Sequence, residues 1–272
     1  MRSRRVAELI ERGRLLGLAV AANALPNTTA ADWCVVSRDQ RPFNAAVRSR
    51  PPRVVDLSSL WAGPLCSHLL QRLGAEVIKV ESPQRPDGAR MGPAAFFDLL
   101  HAGKRSVAID ATTPRGRQQL YALLLQADIV IEASRPRALR QLGIDAEQLL
   151  AERPQLTWVS ITGYGRDADH EQAIAYGDDA AVAAGLSYWQ QAASDEPLFC
   201  GDAIADPLTG LHAALAAWAT HRAGGGRMLS VSLCEVMRHC IAFDAPPSAS
   251  AARERAQDWM RVLRDTGVEI AQ

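Results

Sequence analysis

The chain has 272 residues, with 30 Lys and Arg against 30 Asp and Glu and hence no formal net charge. With 48% hydrophobic and 22% charged residues, the composition is that of a globular protein and excludes wholesale disorder. The even balance also excludes binding of nucleic acid or an anionic membrane through bulk charge, while leaving room for a local basic pocket.

Five cysteines, Cys34, Cys66, Cys200, Cys234 and Cys240, are odd in number and contain no C-x-x-C pair. They read as reduced thiols in a reducing compartment, and no His/Cys spacing predicts a metal site. No window of about 18 residues is apolar and free of charge, so no membrane span is expected. Glu8, Glu11, Arg12 and Arg14 interrupt the apolar stretch near the amino end, which argues against a signal peptide. These features predict a cytoplasmic protein without metal, nucleic-acid or membrane partners.

In chain order, Val6, Leu9, Ile10 and Leu16 recur at helical spacing over residues 5–16. Gly17 then stops the helix, and 18–22 is expected to be a short strand. Residues 23–52 hold Pro26, Asn27 and the run Arg48-Ser49-Arg50-Pro51-Pro52 and read as a linker. From Arg53 onward, strand and helix alternate. Apolar strands are expected at 54–57, 76–81, 106–109, 128–132 and 156–162. Helices are expected from Gly63-Pro64 to Leu73 and over 113–127, 135–142 and 145–152. Pro64 and Pro114 suit first helical turns because the missing N–H has no partner there. Such alternation predicts an α/β fold, a parallel sheet with helices on both faces. After Gly163 the chain is mainly helical, at 178–191 and 206–221. The turn Gly224-Gly225-Gly226 leads to a strand at 228–231. A last amphipathic helix over 251–265 precedes a strand at 268–270. Residues 9–20 and 259–270 echo one another as helix, glycine and strand.

The run VVDLSSLWAGPLCSHLLQRLGAEVIKVESP resembles the opening of the class III CoA-transferases, the family of formyl-CoA transferase, carnitine CoA-transferase and α-methylacyl-CoA racemase. HAGKRSVAID through ALRQLGID, then RPQLTWVSITGYGRD, YGDDAAVAAGL and GDAIADPLTG through GGGRMLSVSL continue the likeness in order, over about 53–243. The resemblance implies a Rossmann-like domain with a smaller domain, largely missing here, and an interlocked dimer. It divides the chain into an extension (1–50), the transferase core (51–243) and a terminal helix–strand segment (244–272). It also implies transfer of CoA from an acyl-CoA to a carboxylic acid, with coenzyme A entering as substrate and no metal. The resemblance further implies a route through an aspartyl anhydride and an aspartyl-CoA thioester.

Site residues follow from the same likeness. Asp178 and Asp179 are the candidate nucleophiles, shortly after the Gly163-Tyr164-Gly165 turn, whose glycines are candidates for shaping an oxyanion site. An Asp in the first turn of a helix also serves simply as a cap. Leu60, Trp61 and Ala62 match the loop that lies against CoA, and Lys104 and Arg105 match a stretch near the nucleotide. Arg135, Arg137 and Arg140 supply positive charge for phosphates, although Ala133 and Gln141 depart from the family pattern. Asp202 and Asp206 match the segment before the long helix. Trp61, Tyr188 and Trp189 fit either an acyl pocket or the core. The racemase branch also uses a histidine before the Gly-x-Gly turn. None lies in 145–154, and His170 is beyond the turn, which favours transfer over racemisation. The alternatives that stay open are an α-methylacyl-CoA racemase-like isomerase and a non-catalytic CoA-binding or partner subunit of a split enzyme, completed by a homodimer mate or another chain.

Overall fold

The computed structural model describes residues 4–24, 32–37, 50–167 and 172–267. It begins with α1 (Val6–Leu15) and β1 (Cys34–Ser37). The alternating part then gives β2 (Arg53–Asp56), α2 (Ala62–Arg72), β3 (Glu76–Glu81), α3 (Ala94–His101), β4 (Arg105–Ala108) and α4 (Pro114–Leu124). It continues with β5 (Ile129–Glu132), α5 (Pro136–Gln141), α6 (Ala146–Glu152) and β6 (Thr157–Thr162). Next come α7 (Gly177–Ala183), α8 (Leu186–Ser194), α9 (Ala205–Arg222), β7 (Arg227–Ser232), α10 (Leu233–Asp244) and α11 (Ala249–Thr266).

Among the described residues the strands form one seven-stranded sheet in the order β1-β7-β6-β5-β2-β3-β4. Every neighbouring pair from β7 to β4 is parallel, and β1 joins β7 antiparallel. The period-2 geometry of strands explains how helices cover both faces. Val54, Ile129, Ile131, Val159, Ile161, Leu229 and Val231 point into one core with α2, α7, α9 and α10. Their neighbours Val55, Val130, Trp158 and Met228 point into the other, with α4 and α6.

The chain proceeds from β2 toward β4 on one side and restarts at β5 on the other, so the order reverses between β2 and β5. The carboxyl ends of two strands at such a reversal leave a crevice between their loops, which is where open α/β sheets take ligands. The loop after β2, residues 57–61, and the loop after β5, residues 133–135, border it. The helix α9 packs along α2 so closely that a Cβ on Gly210 would come within 2.8 Å of the Ala62 carbonyl oxygen.

Four expectations are corrected. Residues 18–22 form no strand and pair with none of the described ones. Instead the chain folds back along α1, where Gly13 lacks the Cβ that would meet Val20 at 2.8 Å, and the Leu18 amide donates to the Gly13 carbonyl. Within the expected linker, Cys34–Ser37 forms an edge strand, its valines half exposed. The expected 178–191 helix breaks at Gly185, whose φ of +97° is left-handed and interrupts α-helical bonding. Helices α3 and α10, unassigned from periodicity, are present. The strand expected at 268–270 and His170 lie outside the described residues.

Candidate active site

The loop after β2 is held from beneath by buried charge. Asp56, the last residue of β2, accepts from the Ser58 amide at 2.9 Å and from the Ser58 and Ser67 hydroxyls. The Lys104 ammonium lies 2.9 Å from the Pro64 carbonyl, 2.7 Å from Ser67 Oγ and 3.4 Å from Asp56 Oδ2. A second pair stands alongside: Lys79 Nζ reaches Asp87 Oδ2 at 2.7 Å, both side chains being buried. The other oxygen of Asp87 accepts from the Leu60 amide at 2.9 Å. Leu60 has φ +69°, an uncommon conformation for a branched residue, and this bond is what holds it there. Burial alone would raise the pKa of Asp56, but Lys104, Lys79 and the two serines outweigh it and hold the carboxyl below the usual range. Burial together with Lys104 and Lys79 pushes His101 down to about 4, so its ring is neutral near pH 7.

At the amino end of α7 the acids are arranged differently. Asp178 Oδ1 accepts from the Ala203 amide at 3.0 Å. Asp179 uses both oxygens, accepting from the Tyr176 amide at 2.7 Å and the Tyr164 hydroxyl at 2.9 Å, the geometry of an N3 cap. Asp206, in the first turn of α9, accepts from the Ala62 amide at 3.4 Å and from the Gly177 amide. Gly177 is obligatory here, since a Cβ would fall 2.2 Å from the Ala203 oxygen and 2.5 Å from Asp206 Oδ2. Asp206 therefore joins the first amides of α2 and α7, bringing Asp178 to the crevice beside the β2 loop. Burial and the charges of Asp178 and Asp179 push Asp206 up to about 6, against the pull of the two amides. Burial also raises Asp179.

The Gly163-Tyr164-Gly165 turn is built on backbone needs. A Cβ at Gly163 would meet that of Ala175 at 2.4 Å, and Gly165 has φ +125°. The Gly165 amide is already donated to Thr162 Oγ1, and the Gly163 carbonyl accepts from the Cys234 amide and Ser232 hydroxyl.

The predicted cations separate. Arg135, Arg137 and Arg140 are exposed on the loop and helix that follow β5, at the crevice side of the sheet. Lys104 instead turns inward, its side chain 1% exposed. Arg105 stands at the amino end of β4, 65% exposed and paired with Glu76 at the start of β3, the sheet edge opposite the crevice. Trp61 packs edge-on against Phe96, whereas Tyr188 and Trp189 pack on each other on α8. Among the described residues no cluster of three metal-ligating side chains occurs and all five cysteines are free.

A sequence profile described as CoA-transferase family III matches residues 52–267. The chain belongs to that family. Succinate–glutarate CoA-transferase of Agrobacterium fabrum is 31% identical over 217 residues, covering 71% of this chain and 54% of that protein. Formyl-CoA:oxalate CoA-transferase of Rhodopseudomonas palustris is 31% identical over 192 residues, 66% of this chain and 45% of the relative. Among solved structures, a hypothetical protein from Mycobacterium tuberculosis superposes with a TM-score of 0.66 at 31% identity, over 75% of this chain and 58% of the other. A CAIB/BAIF family protein from Brucella suis gives 0.65 at 33% identity, over 72% and 56%. The chain spans about half the length of the curated relatives it matches.

Within this family III chain, three residues at the site were not singled out by sequence reasoning. Asp206 was noted only as part of a matching segment, because its contact with Ala62 crosses 144 positions. Arg166, directly after the glycine turn, reaches the buried Glu132 and Ser160, both at 2.8 Å. Arg14, from the amino-terminal helix, stacks over the Tyr164 ring at 4.7 Å. The signals available in the sequence were the adjacency of Arg166 to the turn and the family-like segment that holds Asp206.

Proposed function

We propose that the chain carries the nucleophile and the CoA-facing loop of a CoA-transferase, moving CoA from an acyl-CoA to a carboxylic acid. The observation that carries this reading is the Asp206 link, which sets a half-buried Asp178 against the amino end of α2 at the crevice. Asp178 has one oxygen held by the Ala203 amide, which orients the carboxylate and leaves its second oxygen for attack. Asp179 is committed at both oxygens and serves as the cap that fixes the turn.

In this reading Asp178 attacks the thioester carbonyl, the thiolate of CoA leaves, and a mixed anhydride forms. The thiolate then attacks the aspartyl carbonyl, releasing the first acid and leaving an aspartyl-CoA thioester. The acceptor carboxylate repeats both steps in reverse and departs as its CoA thioester, which returns the free Asp. A carboxylate is a weak nucleophile, but its anhydride is activated enough for recapture by thiolate. Leu60, Trp61 and Ala62 lie along the CoA, and Arg135, Arg137 and Arg140 face its phosphates. Lys104 supports the loop from below. Incubation with an acyl-CoA and hydroxylamine is expected to convert Asp178 to a hydroxamate, located by peptide mass spectrometry. CoA binding with no trapped carboxylate would identify a non-catalytic CoA-binding chain instead.

A further inference from the structure

The amino-terminal helix borders a groove that the transferase reading does not use. Between α1, the returning chain at 21–24, residues 172–173 and the carboxyl end of α7 lies an open groove of about 610 Å³. Its walls include Ala7, Ile10, Leu15, Ala21 and Ala22, and Arg14 also lines it. The Arg14 guanidinium rests on the Tyr164 ring at 4.7 Å, and the hydroxyl of that same tyrosine is bonded to Asp179. Among the described residues no carboxylate lies within ion-pair distance of Arg14, and its Nε is buried with no hydrogen-bond partner. A half-buried guanidinium at an apolar groove, bonded to the Tyr164 hydroxyl but with its Nε unpartnered and no ion-pair carboxylate among the described residues, has donors left to offer a planar carboxylate. Glu11 is exposed and also lines the groove, so a second negative charge on the ligand is repelled there.

We infer that this groove is a binding site for a monocarboxylic acid with an apolar tail, the carboxylate on Arg14 and the tail against the alanine and isoleucine wall. As a carboxylate site it stands on its own geometry. As the acceptor site of the transfer reaction it rests on the reading above, since the bound carboxylate would lie one tyrosine ring from the amino end of α7.

Direct binding, without CoA, separates the two claims. Hexanoate and its neutral analogue hexanamide are titrated into the full chain by calorimetry. Hexanoate is expected to bind more tightly than hexanamide to the wild type. Arg14→Met is expected to weaken hexanoate about tenfold or more and leave hexanamide unchanged. Ala22→Trp, which fills the opposite wall, is expected to weaken both. Arg14→Gln gives the same reading if the Met variant fails to fold by circular dichroism. No hexanoate binding to the wild type, equal binding to the charge-removing variants, or indifference to Ala22→Trp overturns the site. A groove that binds hexanoate as described while Asp178 proves unreactive would leave the site standing and remove its place in catalysis.

Discussion

Two acid-bearing regions meet at the amino end of α2, and they are stabilised in opposite ways. Beneath the β2 loop, the carboxylates of Asp56 and Asp87 each face a buried lysine, and Asp56 is held below the ordinary carboxylate range. At the amino end of α7, Asp178, Asp179 and Asp206 are held by main-chain amides and a phenol, and Asp179 and Asp206 are raised. The first arrangement spends every charge on fixing backbone, including the left-handed Leu60. The second keeps carboxylates ordered by neutral donors, an arrangement that would orient the proposed nucleophile without quenching it in an ion pair. A framework of paired charge beside a cluster of acids with no ion-pair partner among the described residues is the division expected between a support and a reactive centre.

The comparison is sharpened most by Asp178, the proposed nucleophile. Asp178→Asn is expected to lower CoA transfer by about 10⁴-fold, as removal of a covalent nucleophile does, with binding of CoA little changed. Asp179→Asn, which loosens a cap, is expected to cost far less, and steady-state kinetics on the pair distinguishes the two roles. A reversed order would exchange them.

On the framework side, Lys79→Met leaves Asp87 buried without its cation. A broken buried pair costs about 3 kcal/mol or more, so the urea midpoint should fall steeply. An unchanged midpoint would show that the Leu60 amide and the Ala89 amide, which donates to Asp87 Oδ1 at 3.0 Å, suffice for Asp87.

The smallest effect concerns pH. Asp206 is pushed up to about 6 from an ordinary 3.8, so the folded state holds its proton more tightly than the unfolded one. Its contribution to stability is complete below about pH 4 and is lost as pH rises through about 6. The loss amounts to about 2–3 kcal/mol, from the shift of roughly two pH units. Asp206→Asn removes the titrating group, and its stability should lack that part of the decline between about pH 4 and 7. Parallel wild-type and variant profiles from denaturant unfolding would refute the raised value.

The sheet was legible because its central strands are short apolar runs separated by helical periods, with Pro64 and Pro114 marking helix starts. The aspartate pair was legible as a motif at a helix start. Its partners were not, because Asp206, Ala62 and Gly177 meet only through the packing of α9 on α2 and α7. The inward turn of Lys104 was hidden for the same reason, its partner Asp56 lying 48 positions earlier. The edge strand β1 was obscured by the Pro- and Thr-containing stretch around it, and its half-exposed valines carry no alternation. Gly185 was read through because the alanine-rich helix around it keeps its period on both sides.

Oxygen transfer tests the central claim most directly. An acceptor acid labelled with heavy oxygen in its carboxylate is turned over with an unlabelled acyl-CoA, and the protein is digested and weighed. The anhydride route predicts one heavy oxygen left on the peptide bearing Asp178, assigned to that side chain by fragmentation and absent from Asp178→Asn. Turnover with no label on that side chain would contradict attack by Asp178.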